Sequence, residues 1–182
     1  MDSGEDEWQA PFSNPDCDLI ATPIPYGDLH TVSPYVATPP AAVELLLSGL
    51  RLTAQDFLVD LGCGTGTINL MAARQTGTPG LGVDIEPGLV AAAARAGEAA
   101  GLAGLVQFRV EDVAEVELQR ATAVTSFLVP RHLKLIREKL VSFLADGGRL
   151  ACYHYPLQGI QPSSVLQLNS EIDKKIFIYS SQ

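Results

Sequence analysis

Three things are scarce in this chain, and each scarcity removes a class of explanation. Cysteine occurs at only three positions, Cys17, Cys63 and Cys152, with no Cys-x-x-Cys pair. Neither a zinc site nor a disulfide framework is expected, and free thiols suit a reducing compartment. Long apolar runs are missing: Gly, Glu or Arg interrupts every stretch before it nears the ~20 residues of a membrane span. Basic residues are few, 12 Lys and Arg against 21 Asp and Glu, for a net charge of −9. Four of those acids (Asp2, Glu5, Asp6, Glu7) crowd the first seven residues, and the remainder is still acidic. A phosphate backbone is gripped by basic patches, so nucleic acid is not the expected partner; a basic protein segment or a small molecule is. The acidic start, Met1 to Trp8, is neither a secretory signal nor an Arg-rich transit peptide, so cytosol or nucleus is the expected location.

What is present is a globular composition, 47% hydrophobic over 182 residues, which suits one domain with a sizeable core. Pro11, Pro15, Pro23, Pro25 and Pro34 recur without helical period, so residues 1–37 read as an extended, partly disordered arm and 38–182 as the folded domain. A helix is expected from Thr38-Pro39-Pro40, with Thr38 as cap, Val43, Leu46, Leu47 and Leu50 on one face, and Gly49 ending it near Arg51. Short strands are expected at Phe57–Val59, Gly80–Asp84, Val106–Val110, Thr122–Val129 and Arg149–Tyr155. Between them lie a helix carrying Ile68, Met71 and Ala72, an alanine-rich helix from Pro87 to about Ala100, a crossover at 113–120 with room for one helical turn, and a helix from Pro130 with Leu133, Ile136, Leu140 and Leu144 inward. Residues 165–168 and 176–179 suit a terminal hairpin. Alternating strands and helices imply an α/β, mostly parallel sheet with helices on both faces.

Gly62, Gly64 and Gly66 lie between a strand and a helix, where a chain without Cβ atoms turns sharply and lets a ligand approach the backbone. The ligand is expected beyond the strands' carboxyl ends. Asp60 and Asp84 close two neighbouring strands, and Asp84 stands 18 residues after Gly66, near the spacing of a ribose-binding acid; it also suits an N-cap for the helix at Pro87. The dinucleotide pattern G-x-G-x-x-G fails, because Thr67 occupies its third glycine position. The run Asp60-Leu61-Gly62-Cys63-Gly64-Thr65-Gly66 instead resembles the cofactor loop of class I S-adenosylmethionine-dependent methyltransferases. That resemblance implies a Rossmann-like, seven-stranded sheet whose last strands include an antiparallel one. It also implies S-adenosyl-L-methionine as cofactor, with its amino group near Asp60, its ribose on Asp84, and its adenine between Asp112 and the Val113 amide. Glu111 competes with Asp112 for that last role. Cys63 reads as a small residue packed in the loop, since methyl transfer needs no thiol.

Pro34-Tyr35-Val36-Ala37-Thr38-Pro39-Pro40, the glycine loop, Gly82-Val83-Asp84-Ile85-Glu86-Pro87 and Ala121 to Pro130 together resemble the protein-lysine methyltransferase family that modifies the ATP synthase c subunit and the adenine nucleotide translocase. The resemblance covers about residues 32 to 156. It implies a protein substrate with a target lysine and makes a mitochondrial location conceivable, although the acidic tail stands where those enzymes carry a hydrophobic segment. Tyr35 and Thr38 are candidates for one side of the amine channel, Ser126 and Phe127 for the other. Each also has a plain structural use: arm packing for Tyr35, strand core for Phe127, a strand-end hydroxyl for Ser126. His154, at the end of the fifth strand, reads as structural before catalytic. An N/D-P-P-Y motif is absent at 125–130, which counts against amide and base substrates. A methyltransferase of a small molecule or RNA, and a non-catalytic module that only binds the cofactor, stay open as alternatives.

Overall fold

The computed structural model describes residues 35–168 and 174–180. The chain divides into two units, Met1–Tyr35 and Val36–Gln182. The expected arm up to residue 34 lies outside the described residues.

The second unit has the element order α1 (Pro40–Leu50), β1 (Leu58–Leu61), α2 (Thr67–Thr76), β2 (Gly80–Asp84), α3 (Pro87–Ala99), β3 (Val106–Val110), β4 (Ala123–Ser126), α4 (Pro130–Ala145), β5 (Arg149–Tyr153), β6 (Ser164–Gln167) and β7 (Lys175–Tyr179). The strands form a seven-stranded sheet in the order β3-β2-β1-β4-β5-β7-β6. β1 to β5 are mutually parallel, and β7 runs antiparallel to both β5 and β6. The strand order reverses between β1 and β4, and a crevice opens at such a switch point beyond the carboxyl ends.

Two apolar layers sandwich the sheet. On one face, Val43, Leu46 and Leu50 of α1 and Ile68, Met71 and Ala72 of α2 pack on Leu58, Ala123, Ala151, Ile176 and Ile178. On the other, Leu133, Ile136, Leu140 and Phe143 of α4 pack with Val59, Leu61, Val83, Val124 and Leu150. The glycines of β2 permit close packing. A Cβ on Gly82 would stand 2.6 Å from the Phe108 ring, and one on Gly66 2.5 Å from the same ring, so Phe108 lies flat where two glycines leave room. Gly97 of α3 lies against Phe108 and against Leu70 of α2, and Ala93 of α3 lies against Gly66, which seats α3 on the α2 side.

Several local expectations change. Thr38 does not cap α1: Pro39 is the N-cap, without a side-chain hydrogen bond. Gly49 lies within the helix, against Ile178 and Leu166, and Arg51 closes it in the left-handed region at φ 51°. The crossover 113–120 contains turns and no helix. β1 is shifted by one residue at its start and runs on to Leu61, and β4 spans only Ala123–Ser126, shorter at both ends than expected, with Phe127 to Val129 leading out of the ladder into the helix that starts at Pro130. β5 stops at Tyr153, because His154 takes φ 70°.

At the amino ends of the strands, Asp56 accepts from Thr122 Oγ1 (2.7 Å) and from Thr53 N (2.8 Å) and pairs with Arg149. Arg149 also donates to Leu50 O. The carboxyl end of α1 therefore lies at the base of the sheet.

Candidate cofactor and substrate site

The loop after β1 is held by main chain. Gly62 N and Cys63 N both donate to Val83 O at 2.9 Å, and Gly66 N donates to Cys63 O at 2.9 Å. Gly62, Gly64 and Gly66 have φ of 80°, 54° and 79°, a region that L side chains avoid and glycine enters freely. Gly66 is the N-cap of α2 and has no side chain to cover the first-turn amides, which point toward the loop as anion-favouring donors.

Asp84 is half-buried at the end of β2, and its carboxylate accepts from Gly64 N (2.9 Å) and Glu86 N (3.0 Å). It does not cap α3; Glu86 does, accepting from Gly88 N at 3.3 Å. Asp84 thus ties the glycine loop to β2. Asp60 lies beneath the loop, 2% exposed, and accepts from Thr125 Oγ1 at 2.7 Å. Burial pushes its carboxyl up to about 7, with the Thr125 hydrogen bond opposing and the Asp84 charge adding to the rise. Cys63 is buried, its Sγ 3.6 Å from Gly64 O, and burial pushes its thiol far above the ordinary range. It packs within the loop, as a buried, uncharged thiol does.

Beyond β3, Glu111 N donates to Asp84 O (3.1 Å), joining the two strand ends. The Glu111 carboxylate pairs with Arg109 at 3.4 Å. Asp112 is exposed, and its Oδ1 accepts from Ala114 N at 2.8 Å, which turns the chain, and Val113 packs against the core on the α4 face. The turns that follow are gathered by one cation: Lys139 Nζ on α4 donates to the carbonyls of Val113 (3.2 Å), Ala114 and Val116 (2.7 Å). Three ammonium protons thus meet three carbonyls that no helix satisfies. Nothing in the local sequence signals Lys139, because its partners lie 23 to 26 residues away.

On the other side of β1, Ser126 ends β4, 2% exposed, its Oγ without a partner among the described residues. Phe127 follows, half-buried, with its ring 4.7 Å edge-on from Tyr153. His154 and Tyr155 extend the cluster, their centroids 4.3 Å apart. Ser126 and Phe127 are therefore brought together with the end of β5. Tyr35 belongs to the first unit, and Thr38 is half-buried ahead of α1. Thr125, Phe108 and Lys139 were not read as site residues from the sequence. Only Thr125 carried a signal, by its alternation with Ser126 along β4.

Comparison with known proteins agrees with this architecture. Residues 60–164 match the ANTKMT methyltransferase domain. A protein-lysine N-methyltransferase of Saccharolobus islandicus is 28% identical over 148 residues, which span 80% of this chain and 92% of that protein. The mouse adenine nucleotide translocase lysine N-methyltransferase is 36% identical over 73% of this chain, and the chain spans 58% of its length. The solved structure of an RNA methyltransferase from Salinibacter ruber with S-adenosyl-L-homocysteine superposes with a TM-score of 0.75 at 31% identity, over 80% of this chain and 93% of that one. The chain belongs to the ANTKMT methyltransferase domain family, whose class I fold takes its methyl group from S-adenosylmethionine.

Proposed function

We propose that the protein transfers a methyl group from S-adenosylmethionine to the ε-amine of a lysine in a protein substrate. The residues present fit the cofactor by their chemistry. Three carboxylates stand at three consecutive strand ends (Asp60, Asp84 and Asp112), and the cofactor offers three kinds of donor, an ammonium, a ribose diol and an exocyclic amine. Asp84 would hold the ribose while still tying down the Gly64 amide. The Gly62–Gly66 main chain would line the methionine part, with Asp60 beneath as counter-charge. Asp112 and the Val113 amide would hold the adenine. When bound, S-adenosylmethionine supplies an electrophilic methyl carbon that an amine takes as the neutral thioether leaves.

This assignment orients the ligand. With adenine at β3 and ribose at β2, the methionine part lies over β1, and the next strand ends belong to β4 and β5. The observation that carries the lysine reading is what stands there: the half-buried rings of Phe127, His154 and Tyr155 around the buried ring of Tyr153, beside Ser126. Such rings shed water from an alkyl chain and attract an ammonium at its tip. A lysine with an ordinary pKa near 10.4 is mostly charged at neutral pH, so a desolvating channel favours the neutral amine that attacks. The names of the relatives from Saccharolobus islandicus and mouse support the same substrate class. The description of the Salinibacter ruber structure favours RNA as the second reading.

Incubating the protein with methyl-tritiated S-adenosylmethionine and cell extract, treated with protease or with nuclease, separates the two. Label in methyllysine after acid hydrolysis, removed by protease, is the expected outcome. Label removed by nuclease would replace lysine with RNA, and no label in either would leave a binding module.

A further inference from the structure

The end of β5 departs from ordinary backbone at one residue. His154 has φ 70°, and across it Tyr155 N donates to Tyr153 O at 2.9 Å. A hydrogen bond from residue i+2 back to i around a positive φ is the rare, strained form of γ-turn. The turn is pinned from outside as well, since His154 N donates to Lys175 O at 2.7 Å on β7. Non-glycine residues in this region persist when the surroundings over-determine them, and they gather at functional sites. Here the turn sets an imidazole among the rings of Tyr155 (4.3 Å), Phe127 (6.4 Å) and Tyr153 (6.5 Å). Its Nδ1 is buried and has no partner among the described residues; Ser126 Oγ, at the adjacent strand end, is in the same condition. Two unsatisfied polar atoms and a strained turn at the ends of neighbouring strands are costs that core packing alone would not select.

We propose that His154 contacts the methyl acceptor: its Nδ1 accepts a hydrogen bond from the lysine ε-amine and so turns the nitrogen lone pair toward the methyl group, with Phe127 and Tyr155 flanking the alkyl chain. This rests on the lysine reading above. The rings of Tyr155, Phe127 and Tyr153 stand around the imidazole, so an alkylamine would reach the buried Nδ1 by parting side chains. A glycine at 154 would relax the turn but leave no acceptor.

Two substitutions that tolerate a left-handed backbone separate the ring's chemistry from the turn's shape. His154→Gly removes the acceptor. His154→Asn keeps one, because its amide oxygen falls near the place of Nδ1. Each is assayed in the full chain for binding of S-adenosylhomocysteine by calorimetry and for methyllysine formed in extract protein. Both variants are expected to bind S-adenosylhomocysteine as the natural protein does. The Gly variant should lose about tenfold to a hundredfold in methyllysine rate, the scale of a lost hydrogen bond to a charged or reacting group, and the Asn variant should stay within about tenfold of the natural rate. If the Gly variant fails to fold, His154→Phe, which keeps ring volume without a nitrogen, must show the same loss. A Gly or Phe variant that methylates at the natural rate overturns the proposal, as does an Asn variant no better than Gly. A loss matched by weaker S-adenosylhomocysteine binding also overturns it, since the residue would then act on the cofactor. If the natural protein forms no methyllysine, the lysine reading itself has failed.

Discussion

Asp60 and Asp84 stand near the carboxyl ends of neighbouring strands, yet their surroundings give them different work. Asp84 is half-buried, with two backbone amides on its oxygens, so it keeps the glycine loop closed and still presents a face to a ligand. Replacing it with Ala should remove about 1.5–3 kcal/mol of charge-assisted hydrogen bonding to the ribose. The affinity for S-adenosylhomocysteine, measured by calorimetry, should then fall at least about tenfold. Asp60 is enclosed, and burial raises its carboxyl from the ordinary 3.8 to about 7. A pKa higher folded than unfolded means that this group's contribution to stability is whole below 3.8 and is lost as pH rises through 7. An ammonium placed near it favours the carboxylate. The affinity for S-adenosylhomocysteine should therefore increase as pH rises through 7, with proton release on binding near pH 6.5. Calorimetry in two buffers of different ionisation enthalpy reads that release directly. Adenosine, which lacks the ammonium, should show none of it, and neither should Asp60→Asn. A pH-independent affinity would remove Asp60 from the site.

Among the elements, the crossover between β3 and β4 is the least regular and the most dependent on a distant residue. It has no helix to satisfy its own carbonyls, and Lys139 of α4 takes three of them. Lys139→Met keeps much of the apolar stem but frees the turns. It should weaken adenosine and S-adenosylhomocysteine binding by a few-fold to about tenfold, roughly the effect of one lost charged hydrogen bond. Methyl transfer at saturating cofactor should change little. Equal binding by the variant would mean that the turns hold themselves. This element also marks the limit of what the sequence conveyed. The glycine loop, the strand-end acids and the helix after Pro130 were legible because they rest on local spacing: Gly62, Gly64 and Gly66 need no distant partner to announce a turn. The crossover's length suits a helical turn that the structure does not form, and Lys139 carries no local signal, because a carbonyl clamp across 23 residues leaves no periodic trace. Thr38 misleads for the opposite reason: its type suits a cap locally, but the cap falls one residue later, at Pro39.

For the molecule as a whole, the base of the sheet and its top have separate duties. At the base, Asp56 gathers Thr53, Thr122 and Arg149 and so joins the starts of β1, β4 and β5. Burial alone would raise its carboxyl, but the hydrogen bonds from Thr122 and Thr53 and the Arg149 charge outweigh that and hold it below its usual value. Its stabilising share is therefore present above about pH 4 and is lost as pH falls through the lowered value. Asp56→Asn should lower stability in urea near neutral pH while leaving cofactor affinity unchanged, because the residue lies at the far end of the strands. An equal drop in affinity would show that base and top are not separable.

In the proposed arrangement the cofactor lies across the carboxyl ends of β1, β2 and β3 with its sulfur directed to β4 and β5. A crystal structure of the full chain grown with S-adenosylhomocysteine tests this most directly. Ribose hydroxyls are expected on the Asp84 carboxylate, adenine against the Val113 amide, and the thioether facing Phe127 and His154. Density for the ligand in any other place, or with adenine over β4, would contradict it.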